Sequence, residues 1–232
     1  MERNRRKVVP RIKICGLTRM EEASYLNEIG ASYAGFVLWE KSRRGVSVAQ
    51  AEEIGKCLKE GIKRVAVTVS PDLALLEQIE EAGFDILQVH GELFGEVLAR
   101  CRIPVWRACN LKQAQDLKRL EYHPGISGYV VDAGEAGSGQ KFDWQGSKKA
   151  VEEMRNTVCA GKDFILAGGL NPENIAQAVR IFQPDVVDVS SGVEGANGKE
   201  RSLIVAFAGN VRQKNGTLTE SIAGKVRDDE KE

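Results

Sequence analysis

Two side chains of this sequence are suited to acid–base chemistry, the thiol of Cys15 and the carboxyl of Asp132. Each closes a short run of apolar and β-branched residues, so each is predicted to lie at the end of a strand. A thiol and a carboxyl on opposite walls of a pocket can move protons on and off two atoms of one substrate. The alternatives are a packed core thiol for Cys15 and a turn residue or helix cap for Asp132. His90 closes a similar run, and it could support the site or be a structural histidine.

Two glycine-rich loops between residues 167 and 193 are suited to binding phosphate. In the first, a pair of glycines lets backbone amides approach an anion, and Pro172 is predicted to open a helix whose N-terminus adds a positive dipole end. The second loop supplies hydroxyls as well as backbone donors. A single glycine pair is often only a tight turn, but two such loops after consecutive strands favour a phosphate site. The residues expected to contact phosphate are Gly168, Gly169, Ser190, Ser191 and Gly192.

These groups need strands to position them, and eight short runs rich in valine, isoleucine and aromatic residues are predicted to be those strands. They are Arg11–Cys15, Tyr33–Leu38, Arg64–Val69, Asp85–His90, Pro104–Cys109, Ser127–Asp132, Asp163–Ala167 and Asp185–Ser190. Amphipathic segments of helical period separate the runs. They are Arg19–Ile29, Val48–Lys59, Leu73–Ala82, Glu92–Arg100, Lys112–Leu120, Gly146–Thr157, Pro172–Phe182 and Glu200–Arg212.

The alternation of strand and helix predicts the α/β class and a single-domain (βα)8 TIM barrel over residues 11–212, with parallel strands inside and helices outside. In such a barrel the chemistry lies at the C-terminal ends of the strands. An open doubly wound sheet is less consistent, because the turn Cys15-Gly16-Leu17-Thr18 lacks a GxGxxG fingerprint. Residues 1–10 are basic and residues 213–232 are polar and charged, so both segments are expected to be disordered.

Strand alternation also predicts where two charged side chains point. Lys13 shares a strand face with Cys15, Asp188 shares one with Ser190, and the first and last strands are neighbours when a barrel closes. An unpaired buried charge is costly, so we expect Lys13 and Asp188 to form an ion pair inside the barrel. The ammonium beside Cys15 is further expected to favour the thiolate.

The composition excludes several functional classes. The chain of 232 residues has 33 Lys and Arg against 33 Asp and Glu, and this balance argues against a protein that binds nucleic acid or a membrane surface. No apolar run is long enough to span a membrane. Five cysteines without a CxxC pair or zinc spacing indicate reduced thiols in the cytoplasm and no metal site.

Five segments of the sequence carry a combined signal. They are Lys13-Ile14-Cys15-Gly16-Leu17-Thr18, Gln88-Val89-His90-Gly91, Gly137-Ser138-Gly139 with Phe142-Asp143-Trp144, Ala167-Gly168-Gly169-Leu170, and Asp188-Val189-Ser190-Ser191-Gly192-Val193-Glu194. Taken together they resemble the phosphoribosylanthranilate isomerase family of tryptophan biosynthesis. The resemblance spans residues 11–212 in the family's order. Other phosphate-binding barrels share the two phosphate loops but not the first segment together with the Phe-Asp-Trp segment.

The resemblance implies an Amadori rearrangement of N-(5-phosphoribosyl)anthranilate to 1-(2-carboxyphenylamino)-1-deoxyribulose 5-phosphate. It implies that Asp132 is the general acid at the sugar ring oxygen, that Cys15 is the general base at C2, and that Arg44 holds the anthranilate carboxylate. It implies no cofactor and no metal, and a small phosphorylated substrate as the binding partner of a cytoplasmic monomer or homodimer. Lys13, His90 and Asp188 are candidates for supporting this site.

Two other interpretations remain open at this stage. A histidine-pathway aminoaldose–ketose isomerase on a related barrel would be expected to carry aspartates at the ends of the first and fifth strands, where this sequence has Cys15 and Cys109. A non-catalytic phosphometabolite-binding barrel would need the phosphate loops but neither Cys15 nor Asp132. One departure from the family pattern is Thr68, which stands where the family usually has an aromatic residue and is expected to alter the wall of the site.

Overall fold

The computed structural model describes residues 9–110, 122–132 and 144–213, and within them eight parallel strands close into a barrel. The strands are β1 (Arg11–Cys15), β2 (Tyr33–Val37), β3 (Lys63–Val69), β4 (Ile86–His90), β5 (Val105–Asn110), β6 (Ile126–Asp132), β7 (Asp163–Ala167) and β8 (Val186–Val189). The predicted barrel is therefore confirmed, and every strand begins and ends at the predicted residue or at its immediate neighbour. A two-stranded antiparallel hairpin, β9 (Glu194–Gly195) and β10 (Gly198–Lys199), follows β8.

Helices on the outside of the barrel connect the strands. Those in the described residues are α1 (Met20–Ile29), α2 (Val48–Gly55), α3 (Leu73–Glu81), α4 (Gly95–Arg100), α5 (Trp144–Thr157), α6 (Ile175–Phe182) and α7 (Arg201–Arg212). In this described part, no helix combines the length and the apolar composition needed to cross a bilayer. The helix predicted at 112–120, the segment Gly137–Gly139 with Phe142 and Asp143, the charged tail from residue 214 and most of the basic start lie outside the described residues.

The start of α6 differs from the prediction. The sequence places it at Pro172, but the helix begins at Ile175. Asn171 and Asn174 exchange hydrogen bonds between their side chains and backbones, at 2.9 Å from Asn171 N to Asn174 Oδ1 and 3.0 Å in the reverse direction. This local turn competes with helical geometry, as asparagine side chains often do. Pro172 therefore lies in the turn before the helix.

Two separate apolar cores surround the strands. The larger lies between the barrel and the helices and includes Ile12 and Ile14 of β1. The smaller fills the barrel interior, where Tyr33 and Trp106 meet edge to face with ring centroids 5.0 Å apart. Gly128 makes this packing possible, because a methyl group there would lie 2.7 Å from Trp106 Cδ1. These bulky rings fill one part of the interior, and a pair of charged side chains occupies the seam between the first and last barrel strands.

A buried ion pair lies at that seam. Lys13 is directly opposite Asp188 in the register of β1 with β8, and Lys13 Nζ lies 2.8 Å from Asp188 Oδ2. The two side chains are 0% and 6% exposed. Burial acts to lower the pKa of Lys13, but Asp188 and Cys15 outweigh it and hold that pKa above its ordinary value. The predicted pairing is confirmed, and the raised pKa keeps the Lys13 ammonium charged.

Breaking this pair should strongly destabilise the fold. Lys13→Met is expected to lower the free energy of unfolding by about 3–5 kcal/mol, because Asp188 becomes an uncompensated buried charge. The double variant Lys13→Met/Asp188→Leu should recover much of this loss, since it leaves no buried charge. Urea denaturation of the three proteins measures both effects.

Lys56→Met is the control, because Lys56 pairs with Glu52 and Glu53 on the exposed surface of α2 and its C-terminal end. Its unfolding midpoint should match the wild type. Equal losses in the single and double Lys13 variants would contradict the role assigned to the pair.

Candidate active site

The mouth of the barrel brings the thiol of Cys15 beside the ammonium of Lys13. Both side chains lie over Gly35 on the neighbouring strand β2. A methyl group on Gly35 would lie 3.0 Å from Cys15 Sγ and 3.1 Å from Lys13 Nζ. Glycine at this position therefore provides the space in which the thiol and the ammonium meet.

The expected thiolate at Cys15 needs correction. Burial is the largest influence and raises the pKa of Cys15, and Asp188 raises it further. Lys13 and Lys199 act in the opposite direction but do not compensate, so the pKa lies above its ordinary value. The charge of Lys13 does favour the thiolate, as the sequence predicts, but desolvation of the buried thiol outweighs it.

His90 at the end of β4 is held as a neutral imidazole. Its Nε2 lies 2.9 Å from Nε2 of Gln88, two residues earlier on the same inward face. Burial, followed by the charge of Lys13, lowers the pKa of His90 to about 4. The neutral ring therefore pairs through Nε2 with the Gln88 amide.

Asp132 ends β6 and follows the inward alternation of that strand. Val130, two residues earlier, packs in the barrel interior, and Asp132 itself is half-buried at the mouth. In the barrel order, β7 and β8 separate Asp132 on β6 from Cys15 on β1. The two predicted acid–base groups therefore stand on different walls of one opening.

The two predicted phosphate loops contact each other. Gly168 and Gly169 have φ of +88° and +61°, a backbone conformation that favours glycine. A side chain on Gly192 would overlap the carbonyl oxygen of Leu170, so glycine is required for the loop after β8 to pack against the loop after β7. The structure thus brings the backbone of both loops to one edge of the mouth.

Ser190 and Ser191 occupy the loop after β8. Ser190 Oγ donates to the carbonyl oxygen of Cys15 at 2.9 Å, which ties this loop to the end of β1. Ser191 begins a single 3-10 turn that ends at Val193. The first amides of such a turn have no acceptor within it, and they are suited to an anion.

Arg44, the predicted carboxylate-binding residue, lies at the same mouth and is engaged by Glu194. Arg44 Nε lies 2.5 Å from Glu194 Oε1, and Arg44 Nη2 lies 2.9 Å from Glu194 Oε2. The Arg44 side chain also crosses Gly16, where a methyl group would lie 2.5 Å from its Cδ. Arg43 is 70% exposed, as expected for a solvated residue, although its Nη2 reaches Glu194 Oε2 at 2.5 Å.

Sequence reasoning assigned no role to Glu194 or Lys199. Lys199 Nζ lies 2.6 Å from Glu194 Oε1, and its side chain is 1% exposed. Burial favours neutral Glu194, but the hydrogen bonds from Arg44 and Lys199 outweigh it and lower its pKa to about 2. The sequence does contain a signal for this pair, because Glu194 ends the Ser-Ser-Gly-Val-Glu segment and Lys199 follows five residues later. The β9–β10 hairpin places these two residues opposite each other.

Two residues near strand ends, Thr68 and Cys109, face away from the mouth. Thr68 shares the outward alternation of Ala66, and its hydroxyl donates to the backbone oxygen of Gln88 at 3.1 Å. The expectation that Thr68 alters the wall of the site is therefore wrong. Cys109 likewise alternates with Ala108, which packs in the barrel interior, so Cys109 is on the outward face of β5.

Comparison with known proteins places this arrangement in a family. The profile of the N-(5'-phosphoribosyl)anthranilate isomerase family matches residues 12–210. The N-(5'-phosphoribosyl)anthranilate isomerase of Nitrosomonas europaea is 37% identical over 209 residues, which cover 87% of this chain and 95% of the relative. That of Streptococcus gordonii is 38% identical over 203 residues, covering 87% and 97%.

Solved structures agree with the sequence match. The phosphoribosyl anthranilate isomerase of Thermotoga maritima has a TM-score of 0.77 and 32% identity, covering 87% of this chain and 98% of that one. A phosphoribosyl anthranilate isomerase crystallised with reduced 1-(o-carboxyphenylamino)-1-deoxyribulose 5-phosphate has a TM-score of 0.74 and 30% identity over the same shares. With nearly the whole barrel matched in both sequence and fold, the chain belongs to the phosphoribosylanthranilate isomerase family of enzymes.

Proposed function

We propose that this protein catalyses the Amadori rearrangement of N-(5-phosphoribosyl)anthranilate, with Asp132 as general acid and Cys15 as general base. The observation that supports the proposal is that these two groups end β6 and β1, on separate walls of one mouth that Arg44 and the two predicted phosphate loops also border. The substrate has the matching layout, with a phosphate at one end, a benzoate at the other and the reacting sugar carbons between. Membership in the family supports the same reaction.

The first step opens the sugar ring. Asp132 donates its proton to the ring oxygen while the bond from that oxygen to C1 breaks, and the lone pair of the anthranilate nitrogen forms the C1=N iminium. A carboxyl group at the half-buried end of β6 is suited to this role, because it can deliver a proton without being fully exposed to water.

The second step removes the C2 proton. Cys15 thiolate takes it, the C–H electron pair forms the C1=C2 bond, and the iminium nitrogen regains its lone pair. The resulting enolamine tautomerises to the ketone by losing the proton of the C2 hydroxyl and gaining one at C1. The product is an isomer of the substrate, so no oxidant or reductant is consumed.

The remaining residues hold the substrate and the base. Arg44 offers its free guanidinium edge to the anthranilate carboxylate, since Glu194 occupies only the Nε and Nη2 edge. The backbone amides at Gly168, Gly169 and 190–192, together with the hydroxyl of Ser191, bind the phosphate. The Lys13–Asp188 pair holds the ammonium beside the Cys15 thiol, and neutral His90 pairs with Gln88 on the inner face of β4.

The activity itself is testable by following the fluorescence of phosphoribosylanthranilate with purified protein. The signal should decay faster than the uncatalysed background. Cys15→Ala and Asp132→Asn should each lower kcat by roughly 10²-fold or more, because each removes one proton-transfer group.

Cys57→Ala is the matched control, since Cys57 is exposed on the outer side of the barrel. Its kcat should equal that of the wild type. No decay with the wild type would refute the proposed reaction, whereas wild-type rates in both site variants would refute only the assigned roles.

The raised pKa of Cys15 predicts an alkaline pH dependence. Only the thiolate can act as the base, and burial keeps the thiol protonated to higher pH than usual. The value of kcat/KM, which reports on the free enzyme, should therefore increase with pH and continue to increase above the ordinary thiol pKa of about 8.5. Initial rates between pH 6 and pH 10 measure this profile, and a plateau reached at or below about pH 8.5 would contradict it.

A further inference from the structure

The guanidinium of Arg44 has two edges that can each donate a pair of hydrogen bonds to a carboxylate, and Glu194 occupies one of them. Glu194 binds the edge formed by Nε and Nη2 at 2.5 and 2.9 Å. The edge formed by Nη1 and Nη2 is the one left for a second carboxylate. A planar fork held along one edge presents the other edge in a fixed plane.

Glu194 is itself held firmly, which separates this contact from an ordinary surface ion pair. Its side chain is 9% exposed, and Lys199 Nζ lies 2.6 Å from Oε1. The same ammonium donates to the backbone oxygen of Ser190 at 3.1 Å and contacts Ser190 Oγ at 3.2 Å. Lys199 therefore connects the residue that holds Arg44 to the predicted phosphate loop.

The hairpin that carries Lys199 is anchored in turn. The backbone N–H of Lys199 donates to Glu22 Oε1 at 2.9 Å, and Glu22 is fully buried. Glu22 Oε2 accepts from the N–H of Thr18 at 2.8 Å, in the loop after β1. The loops after β1, β2 and β8 are thus joined through two buried carboxylates.

We propose that Glu194 is a positioning residue that orients Arg44 for the aromatic carboxylate of the substrate, with Lys199 fixing Glu194 relative to the phosphate loop. This inference rests on the proposed function, because it takes the second carboxylate at Arg44 to be that of the anthranilate. Glu194 acts through Arg44 and does not touch the reacting atoms. Its effect is therefore on binding of a part of the substrate remote from the bonds that change.

The test compares two ligands by calorimetry. One is reduced 1-(o-carboxyphenylamino)-1-deoxyribulose 5-phosphate, and the other is the same compound without the ring carboxylate. Glu194→Gln should weaken binding of the first by about tenfold and leave binding of the second unchanged, because only the first uses Arg44. In turnover, KM should increase by a similar factor with kcat within about twofold of the wild type.

A double-mutant cycle separates positioning from a general structural effect. In the Arg44→Ala background, Glu194→Gln should cause no further loss of affinity for the carboxylate-bearing ligand, since the group it positions is absent. Glu28→Gln is the matched control, because Glu28 accepts two hydrogen bonds from Arg201, at 2.7 and 2.5 Å, on the exposed surface. Its affinity and KM should equal those of the wild type.

Glu194→Asp serves as a second variant if Glu194→Gln fails to fold. It keeps the negative charge beside Lys199 but is too short to reach both nitrogens of Arg44 and also Lys199. Its loss should again be confined to the carboxylate-bearing ligand.

Three outcomes would overturn the inference. They are unchanged binding in both Glu194 variants, equal losses for the two ligands, and tighter binding in Glu194→Gln, which would show that Glu194 competes with the substrate for Arg44. A wild type that binds the ligand without turnover refutes the proposed function, while the binding comparison still decides the role of Glu194. A wild type that binds neither ligand refutes both.

Discussion

A buried pair of opposite charges governs the architecture of this barrel. Lys13 and Asp188 can be buried only if they face each other, because either charge alone in the interior would cost several kcal/mol. Their contact requires one register of β1 against β8, and a shift of one residue would turn Lys13 outward among the apolar side chains of the helices. The register that closes the barrel is therefore the same register that pairs the two buried charges.

The position of the site follows from that register. Two residues beyond the pair, on the same faces, are Cys15 and Ser190, and they meet at the mouth through the Ser190 hydroxyl and the Cys15 carbonyl. Above them, the carboxylate of Glu194 forms ion pairs with both Arg44 and Lys199. A chain with zero net charge can thus present a few cationic and amide donors at one place, without a basic surface elsewhere.

Much of this was predictable because strands alternate and parallel barrels place their strand ends together. Lys13 and Asp188 could be paired from parity alone, and the eight strands from their β-branched runs. The failures have different physical causes. Helix α6 begins three residues later than predicted because the side chains of Asn171 and Asn174 form a local hydrogen-bonded turn. The pKa of Cys15 is raised and not lowered because desolvation outweighs the charge of Lys13.

The pairing of Glu194 with Lys199 could not be predicted from strand alternation, because they lie beyond the last strand of the barrel, in the β9–β10 hairpin, where side-chain direction depends on the turn. Thr68 is the opposite case, because strand alternation does predict its position. Its difference from the family pattern suggested a change in the site, but its place in the strand alternation already assigned it to the outer face. The alternation that places Lys13 inside the barrel also places Thr68 outside it.

The central ion pair also orders events during synthesis of the chain. Its partners are separated by 175 positions, so a growing polypeptide carries Lys13 long before Asp188 has been translated. Until then the lysine remains hydrated and the first strand lacks one neighbour, which disfavours a compact interior in any shorter fragment. The hydrophobic interior can therefore be completed only after the eighth strand has been synthesised. A nascent chain stalled before that point is expected to remain accessible to chaperones and proteases.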